Sequence, residues 1–394
     1  MAYVQKENKL KRSITRREFL ASTGALCFSV VTNQIFTGSF LRNKQSSQTP
    51  NILIIITDQL AQKGVGAYGN QDVETPNINS LANRGVRFSN TYTACPLCQP
   101  SRASFWTGRL PHETGVVSNK ANEKIPSNMP TLGEIFLNAG YETIHFGKQH
   151  DAGSLRGFTC IKEEEKEVEG SDAWPVTGDT KRDRDTTLKS MEWLSKSHDK
   201  PFLAVVDLNN PHNICKWVGF NEGPHEDVPI PVPLPPLPDN FEIDDLPQRP
   251  LPIQYLCCTH RRLRQACEWS ESNYRHYLAA YYHYTNRVDT EIGLILDALY
   301  STATGENTLI ICIADHGDGM AAHRMTTKHI SFYEETTRVP FIFTGPGIKG
   351  SDKLMAEPLV SLIDILPTLC NYANLTVPSG LQGKSLLPWL TDQV

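Results

Sequence analysis

The sequence predicts an α/β fold in which a largely parallel sheet is covered by helices on both faces. Four apolar runs are predicted strands, at residues 51–57, 141–146, 202–206 and 308–314. Helical patterns separate them, at residues 77–84, 132–139, 187–195 and 274–299. Strands that alternate with helices in this way are expected to run parallel, because each helix carries the chain back across the sheet.

The first predicted strand shows the pattern most clearly. Residues 51–57 are rich in β-branched side chains and show no alternation between polar and apolar positions. A strand with one face in water would alternate, so this strand is expected to be buried on both faces.

Polar residues suited to metal binding or proton transfer follow each of the four runs. They occupy positions 58–59, 147–150, 207–212 and 315–317. In open parallel sheets, ligands bind outside the carboxyl ends of the strands. The four groups are therefore expected to meet in one site at that edge.

The overall composition is that of an ordinary globular protein. The chain has 394 residues, of which 39% are hydrophobic and 21% charged, with a formal net charge of -5. This charge and the lack of a long basic stretch give no reason to expect a nucleic acid partner.

The amino-terminal residues 1–45 differ from the rest and resemble a Tat-type export signal. Several basic residues precede Arg16 and Arg17, and a modest apolar stretch follows them. That stretch is interrupted by polar residues at 32–34, so no stable membrane span is expected. Residues 50–394 form the predicted catalytic domain. Within it, residues 224–252 hold ten prolines and form an irregular insert.

The segment Cys98–Arg109 reads CQPSRASFWTGR. It resembles the C-x-P-S-R-x-x-x-x-T-G-R segment of type I sulfatases, and further motifs in the family's order extend the resemblance from about residue 51 to 387. The resemblance implies the alkaline-phosphatase-like α/β/α sandwich. It also implies that a sulfatase-maturing enzyme oxidises Cys98 to formylglycine, whose hydrate is the nucleophile.

A second interpretation of this region is redox chemistry, since Cys95 and Cys98 form a C-x-x-C pair. A thioredoxin-like dithiol needs that motif at the start of a helix, directly after a strand of a small βαβ domain. Here Pro100, Ser101 and Arg102 follow instead, which favours the sulfatase interpretation.

A divalent metal site is predicted at the strand ends. Asp58 and Asp315 offer hard oxygen ligands, and His316 is adjacent to Asp315. The resemblance implies that Gln59 and residue 98 complete the ligand set. Gln59 stands in place of a second acidic residue and His316 in place of the common asparagine, as in relatives that resemble choline sulfatases and phosphonate monoester hydrolases. Ca²⁺ is the expected ion, with Mg²⁺ and Mn²⁺ as alternatives.

The resemblance also implies roles for five further positions. Arg102 would hold the formylglycine hydrate, and Lys148 would neutralise sulfate charge. His150, in a Gly-Lys-Gln-His segment similar to the family's G-K-W-H, would take a proton from the formylglycine hemiacetal so that sulfate is expelled. His212 would contact the sulfate and protonate the leaving oxygen, as suits a group that titrates near neutral pH. Lys328 would also bind the sulfate.

These expectations together describe an exported, periplasmic or extracellular sulfatase that acts on a sulfated carbohydrate, with a maturing enzyme and the Tat translocase as partners. Phosphonate monoester or phosphodiester hydrolysis, a choline-sulfatase-like activity and an inactive carbohydrate-binding relic are the alternatives. The chain stops at Val394, so the family's small carboxyl-terminal subdomain is expected to be truncated or missing.

Overall fold

The computed structural model describes residues 49–162, 180–219, 231–242 and 246–392. The predicted export signal at 1–45 and parts of the proline-rich insert, at 224–230 and 243–245, lie outside the described residues. Among the helices within these ranges, none combines the length and the apolar character needed to cross a membrane.

The centre of the fold is an eight-stranded mixed sheet. The described ranges contain ten strands in all, which are β1 Asn51–Asp58, β2 Val86–Phe88, β3 Thr91–Tyr92, β4 Glu142–Gly147, β5 Thr159–Ile161, β6 Phe202–Pro211, β7 Thr308–Ala314, β8 Phe341–Thr344, β9 Lys353–Met355 and β10 Val360–Ser361. Their order is β5-β4-β6-β1-β7-β8-β2-β9, and β3 pairs with β10 separately. The first five strands of this order are parallel, whereas β8 is antiparallel to both β7 and β2. The predicted, largely parallel sheet is confirmed.

Twelve α-helices occur in the described ranges. They are α1 Pro76–Asn83, α2 Cys98–Thr107, α3 Pro111–Thr114, α4 Leu132–Asn138, α5 Thr180–Leu194, α6 Ile214–Gly219, α7 Leu251–Thr259, α8 Arg261–Ala266, α9 Glu271–Tyr300, α10 Glu334–Thr337, α11 Ile365–Tyr372 and α12 Leu387–Leu390. Helices α5 and α9 pack on each other and on β6, whereas α2 packs with α4 and α11. Every residue of β1, β6 and β7 is buried, so both faces of the sheet centre are covered.

The predicted strands and helices agree with the structure to within about three residues at each end, apart from two longer extensions. Strand β6 runs on from residue 206 to Pro211, and α5 begins at Thr180, earlier than the predicted 187. The first turns of α5 lack apolar periodicity in the sequence, and Asp183 there makes a polar contact instead. The Asp183 carboxylate accepts the backbone N–H of Asn210 at 3.0 Å, at the end of β6. Such a contact leaves no trace in the local sequence pattern.

A buried carboxylate joins α1 to α9. Asp289 of α9 is 1% exposed. Its Oδ1 accepts the Ile78 N–H at 2.8 Å, and its Oδ2 accepts the Asn77 N–H at 3.1 Å and the Asn77 side-chain amide at 2.9 Å. These backbone N–H groups lie in the first turn of α1 and have no partner within that helix. Asp289 thus caps α1 from a distant helix.

We expect Asp289→Asn to lower the free energy of unfolding by about 1–3 kcal/mol, because one acceptor becomes an amide donor that faces other donors. Urea denaturation would measure the change. The control is Glu192→Gln, since Glu192 pairs with Lys196 in solvent and its loss should cost under about 0.5 kcal/mol. Equal stability of the two variants would contradict this role of Asp289.

Candidate active site

The candidate site lies at the carboxyl ends of the central strands. Asp58 ends β1, Asp315 follows β7 directly and Lys148 follows β4. Cys98 is the first residue of α2 and is fully buried. The predicted meeting of these groups at one edge of the sheet is what the structure shows.

Four side chains form a cluster that can hold a metal ion. Ligand atoms of Asp58, Cys98, Asp315 and His316 all lie within 4.8 Å of one another. The Cys98 Sγ is 3.2 Å from His316 Nε2 and 3.7 Å from Asp58 Oδ1. His316 Nδ1 donates its proton to the Gly317 carbonyl oxygen at 2.8 Å. The other ring nitrogen, Nε2, therefore faces the cluster as the atom that can bind a metal ion. Buried carboxylates with one imidazole fit a divalent cation.

Asp58 is surrounded by cations. Lys148 Nζ donates to its Oδ2, and Lys328 Nζ lies 4.0 Å from its Oδ1. Burial alone would raise the pKa of Asp58, but Lys148, His212, Lys328 and Arg102 outweigh burial and hold this pKa well below its ordinary value. Asp58 is therefore an ionised carboxylate.

Arg102 is buried among three carboxylates. Its Nη1 donates to Asp207, its Nε donates to Asp315 Oδ2 at 2.9 Å, and its Nη2 donates to Asp58 Oδ2 at 3.3 Å. Burial opposes the charged form, yet these carboxylates raise the pKa of Arg102 well above its ordinary value. The guanidinium is thus a permanent positive charge inside the site.

Residue 98 faces two lysines. Lys328 Nζ is 2.8 Å from the Cys98 Sγ, and Lys148 Nζ is 4.0 Å from it. Burial and Asp58 raise the pKa of the Cys98 thiol, but Lys148, Lys328 and His316 outweigh them and bring the pKa well below its ordinary value. The site therefore stabilises a negative charge on the side chain of residue 98.

The two remaining predicted histidines differ. His212 is half-buried, and burial together with Lys328 and Lys148 brings its pKa well below the ordinary value, although Asp58 opposes this. His150 lies in the loop after β4 and is also half-buried. Within the described ranges, His150 has no hydrogen bond or ion pair to the cluster. The structure brings His212 into the electrostatic field of the site. His150 lies two residues beyond Lys148, which contacts Asp58.

Gln59, a predicted metal ligand, is held by other partners. Its Nε2 donates to Asp318 Oδ2 at 2.7 Å, and its Oε1 accepts the Cys215 thiol at 3.2 Å. Its backbone N–H donates to Asp315 Oδ1 at 3.1 Å. The Gln59 Oε1 atom accepts one hydrogen bond and keeps a second lone pair, through which this side chain could bind a metal.

Several residues of the site were not predicted. Asp207 belongs to the predicted group at 207–212 but has no predicted role, and His145, Asp318 and Tyr277 lie outside the predicted site residues. Tyr277 of α9 donates its hydroxyl proton to Asp318 Oδ1. The sequence offered one usable signal, since Asp318 is the second acid of the Asp-His-Gly-Asp segment that begins at Asp315.

Comparison with known proteins identifies the family to which the chain is similar. The sequence model of the Sulfatase family matches residues 50–375. The Delta 4,5-hexuronate-2-O-sulfatase of Bacteroides thetaiotaomicron is 50% identical over 356 residues, which cover 89% of this chain and 73% of that protein. A solved structure of a 2-O GAG sulfatase matches with a TM-score of 0.82 at 50% identity, over 88% of this chain and 75% of that one.

More distant structures share the fold. The phosphonate monoester hydrolase of Agrobacterium radiobacter matches with a TM-score of 0.72 at 23% identity, over 87% of this chain and 77% of that one. At this identity the likeness concerns architecture alone. Since the family match spans most of the chain and the 50% identical relative is a sulfatase, the chain belongs to the Sulfatase family, in the alkaline-phosphatase-like superfamily, and is a sulfuric ester hydrolase.

Proposed function

We propose that this enzyme hydrolyses sulfate monoesters on a carbohydrate, with a formylglycine nucleophile made from Cys98 and with a divalent metal ion. One observation carries the proposal. The side chain of residue 98 lies in a buried cluster with two carboxylates at strand ends, one guanidinium and two ammonium groups. Such a cluster suits a reaction in which negative charge develops on both the nucleophile and the sulfate oxygens.

The nucleophilic step would use the position that Cys98 occupies. One hydroxyl group of the hydrated formylglycine attacks sulfur, and the bond from sulfur to the sugar oxygen breaks with inversion. Lys328 and Lys148 lie close to this atom and would neutralise the charge on the nucleophile and the sulfate oxygens. The fixed charges need no rearrangement during the reaction, which is the main source of such stabilisation.

Proton transfers would fall to the two histidines. His212 would protonate the departing sugar oxygen. Its low pKa in the free enzyme follows from burial and two nearby lysines, and an anionic sulfate bound between them would oppose those lysines and favour the protonated form. His150 would then take the proton of the second hydroxyl on residue 98, so that sulfate leaves and the aldehyde is restored.

The metal ion would be held by Asp58, Asp315, His316 and the oxygens of residue 98. When bound, it would act as a Lewis acid on a sulfate oxygen. Ca²⁺ is proposed because the donors are mostly hard oxygens, with Mg²⁺ and Mn²⁺ as alternatives. Asp58 and Asp315 also contact Arg102, which would keep both carboxylates in place for the ion.

For the substrate, we propose a 2-O-sulfated hexuronate. The support is the 50% identical relative, which is a Delta 4,5-hexuronate-2-O-sulfatase. A phosphonate monoester or phosphodiester is the second candidate, because Gln59 and His316 replace the second acid and the asparagine of the common sulfatase pattern. Both candidates use the same nucleophile, so they differ in the ester that the site prefers.

Matched aryl esters would separate these two candidates. With 4-nitrophenyl sulfate and 4-nitrophenyl phenylphosphonate, which share a leaving group, we expect kcat/KM to favour the sulfate by at least about tenfold, or about 1.4 kcal/mol in transition-state stabilisation. Among sugars, a disaccharide with an unsaturated 2-O-sulfated hexuronate should react faster than one sulfated only on its hexosamine. A preference for the phosphonate would reject the sulfatase assignment of this site.

Replacement of the nucleophile gives a direct test. In protein produced with a sulfatase-maturing enzyme, peptide mass spectrometry should find residue 98 lighter by about 18 Da, the change from thiol to aldehyde. Cys98→Ala should then lower kcat about 10⁴-fold or more with the thermal midpoint little changed. Cys95→Ala is the matched control and should keep its activity. Loss of activity in both variants would instead support a dithiol mechanism.

We also propose that the enzyme is exported by the Tat translocase to the periplasm or beyond. The support lies in residues 1–45, chiefly Arg16 and Arg17. Replacement of both by lysine keeps the charge and removes the paired guanidinium groups, so the variant should remain in the cytoplasm on cell fractionation. Arg12→Lys is the control and should be exported. Export of both variants would contradict this route.

A further inference from the structure

The carboxylate of Asp207 stands apart from the proposed metal ligands. Asp207 lies on β6, where it pairs in register with Ile56 of β1 and Gly147 of β4. The register of β1 and β6 is irregular between Thr57 and Asp58, yet Asp207 and Asp58 both contact the Arg102 guanidinium. Asp207 is 1% exposed and is not part of the four-residue metal cluster.

Among the residues that the structure describes, the cationic side chain that Asp207 contacts by hydrogen bond is Arg102. The three carboxylates around Arg102 each take a different nitrogen: Nη1 goes to Asp207, Nη2 to Asp58 and Nε to Asp315. Asp58 and Asp315 are metal-ligand candidates, whereas the third carboxylate, Asp207, is not. A guanidinium is planar and rigid, so fixing Nη1 also fixes the directions of Nε and Nη2.

A buried histidine lies behind Asp207. His145 of β4 is 0% exposed, and its Nε2 lies 3.4 Å from Asp207 Oδ2. Within the described ranges, neither ring nitrogen of His145 makes a hydrogen bond, and Asp207 Oδ1 accepts none. Burying a polar ring without a partner costs free energy. The His145 ring packs against Phe158 on one side, and the charged group that it approaches is the Asp207 carboxylate.

We propose that Asp207, supported by His145, is a positioning residue that orients Arg102 and so holds Asp58 and Asp315 ready for a divalent cation. This inference rests on the metal site of the proposed function. Asp207 touches neither substrate nor metal in this arrangement. It acts through Arg102.

Asp207 is expected to favour metal binding because it neutralises part of the positive charge of the buried Arg102. With Asp207 present, one carboxylate neutralises Arg102 without being shared with the metal. Without that charge, Arg102 would be balanced only by Asp58 and Asp315, the same groups that the metal needs. The unbalanced guanidinium would then compete with the cation and repel it, and such repulsion is strong where water is excluded.

The test measures metal binding directly. Metal-free wild-type protein and Asp207→Asn, both produced with a maturing enzyme, would be titrated with Ca²⁺ by calorimetry, and with Mg²⁺ and Mn²⁺ in parallel. We expect the Kd of Asp207→Asn to rise about tenfold or more. Ca²⁺ should raise the thermal midpoint above its value in EDTA. At one fixed, subsaturating Ca²⁺ concentration, this rise should be smaller for the variant than for wild type.

The control is Asp289→Asn, another buried carboxylate that lies away from the cluster. It should lower the midpoint equally with and without Ca²⁺ and leave the Kd unchanged. If Asp207→Asn behaves in the same way, its role is only structural and the inference is overturned. Should Asp207→Asn fail to fold, His145→Phe replaces it, with the same rise in Kd expected and an unchanged Kd counting against the inference.

The outcomes also separate this inference from the proposed function. If wild type binds none of the three cations, the metal site itself fails and the inference fails with it. If wild type binds one of them and Asp207→Asn binds it equally well, the metal site stands and only the positioning role is rejected.

Discussion

The buried guanidinium of Arg102 is the interaction on which the site depends. Its three carboxylate partners come from three neighbouring strands, since Asp58 ends β1, Asp207 lies on β6 and Asp315 follows β7. Arg102 itself lies on α2, the helix that begins with Cys98. One side chain therefore ties the nucleophile's helix to the carboxyl edge of the sheet. Because arginine stays charged when buried, the guanidinium side of this tie is permanent. The pKa of Asp315 is raised by burial and by Asp58, so acid weakens the tie from the carboxylate side.

The same arrangement explains why residue 98 can carry negative charge. Cys98 begins a ten-residue helix, whose amino end bears a partial positive charge, and Lys328 and Lys148 approach its side chain. Burial opposes an anion here, but the cations outweigh it. A field that favours a thiolate would equally favour the oxygen nucleophile that replaces it, so the positions of the lysines serve the reaction whichever atom residue 98 presents.

Much of the fold and the position of the site followed from local patterns. Strands buried on both faces leave continuous apolar runs, and the polar residues at their ends have a common location by the geometry of a parallel sheet. The contacts that were missed are polar and distant in sequence. Asp207 lies 105 residues from Arg102, and Asp318 lies 259 residues from Gln59. Periodicity reports burial along one element, and it carries no information about which buried polar group meets which.

Gln59 shows how such a distant contact changes the chemistry of the site. The substitution of an acid by an amide removes one negative charge beside Asp58, yet the Gln59 amide donates to the Asp318 carboxylate at 2.7 Å. Burial raises the pKa of Asp318, although hydrogen bonds from Tyr277, the Met320 N–H and Gln59 oppose the rise. The acidic group that Gln59 contacts, Asp318, is not part of the four-residue metal cluster. With fewer negative charges on the cluster itself, the charge balance between Asp58 and the lysines depends more strongly on Arg102. It depends in turn on Asp207, whose carboxylate contacts Arg102 and is not part of the cluster.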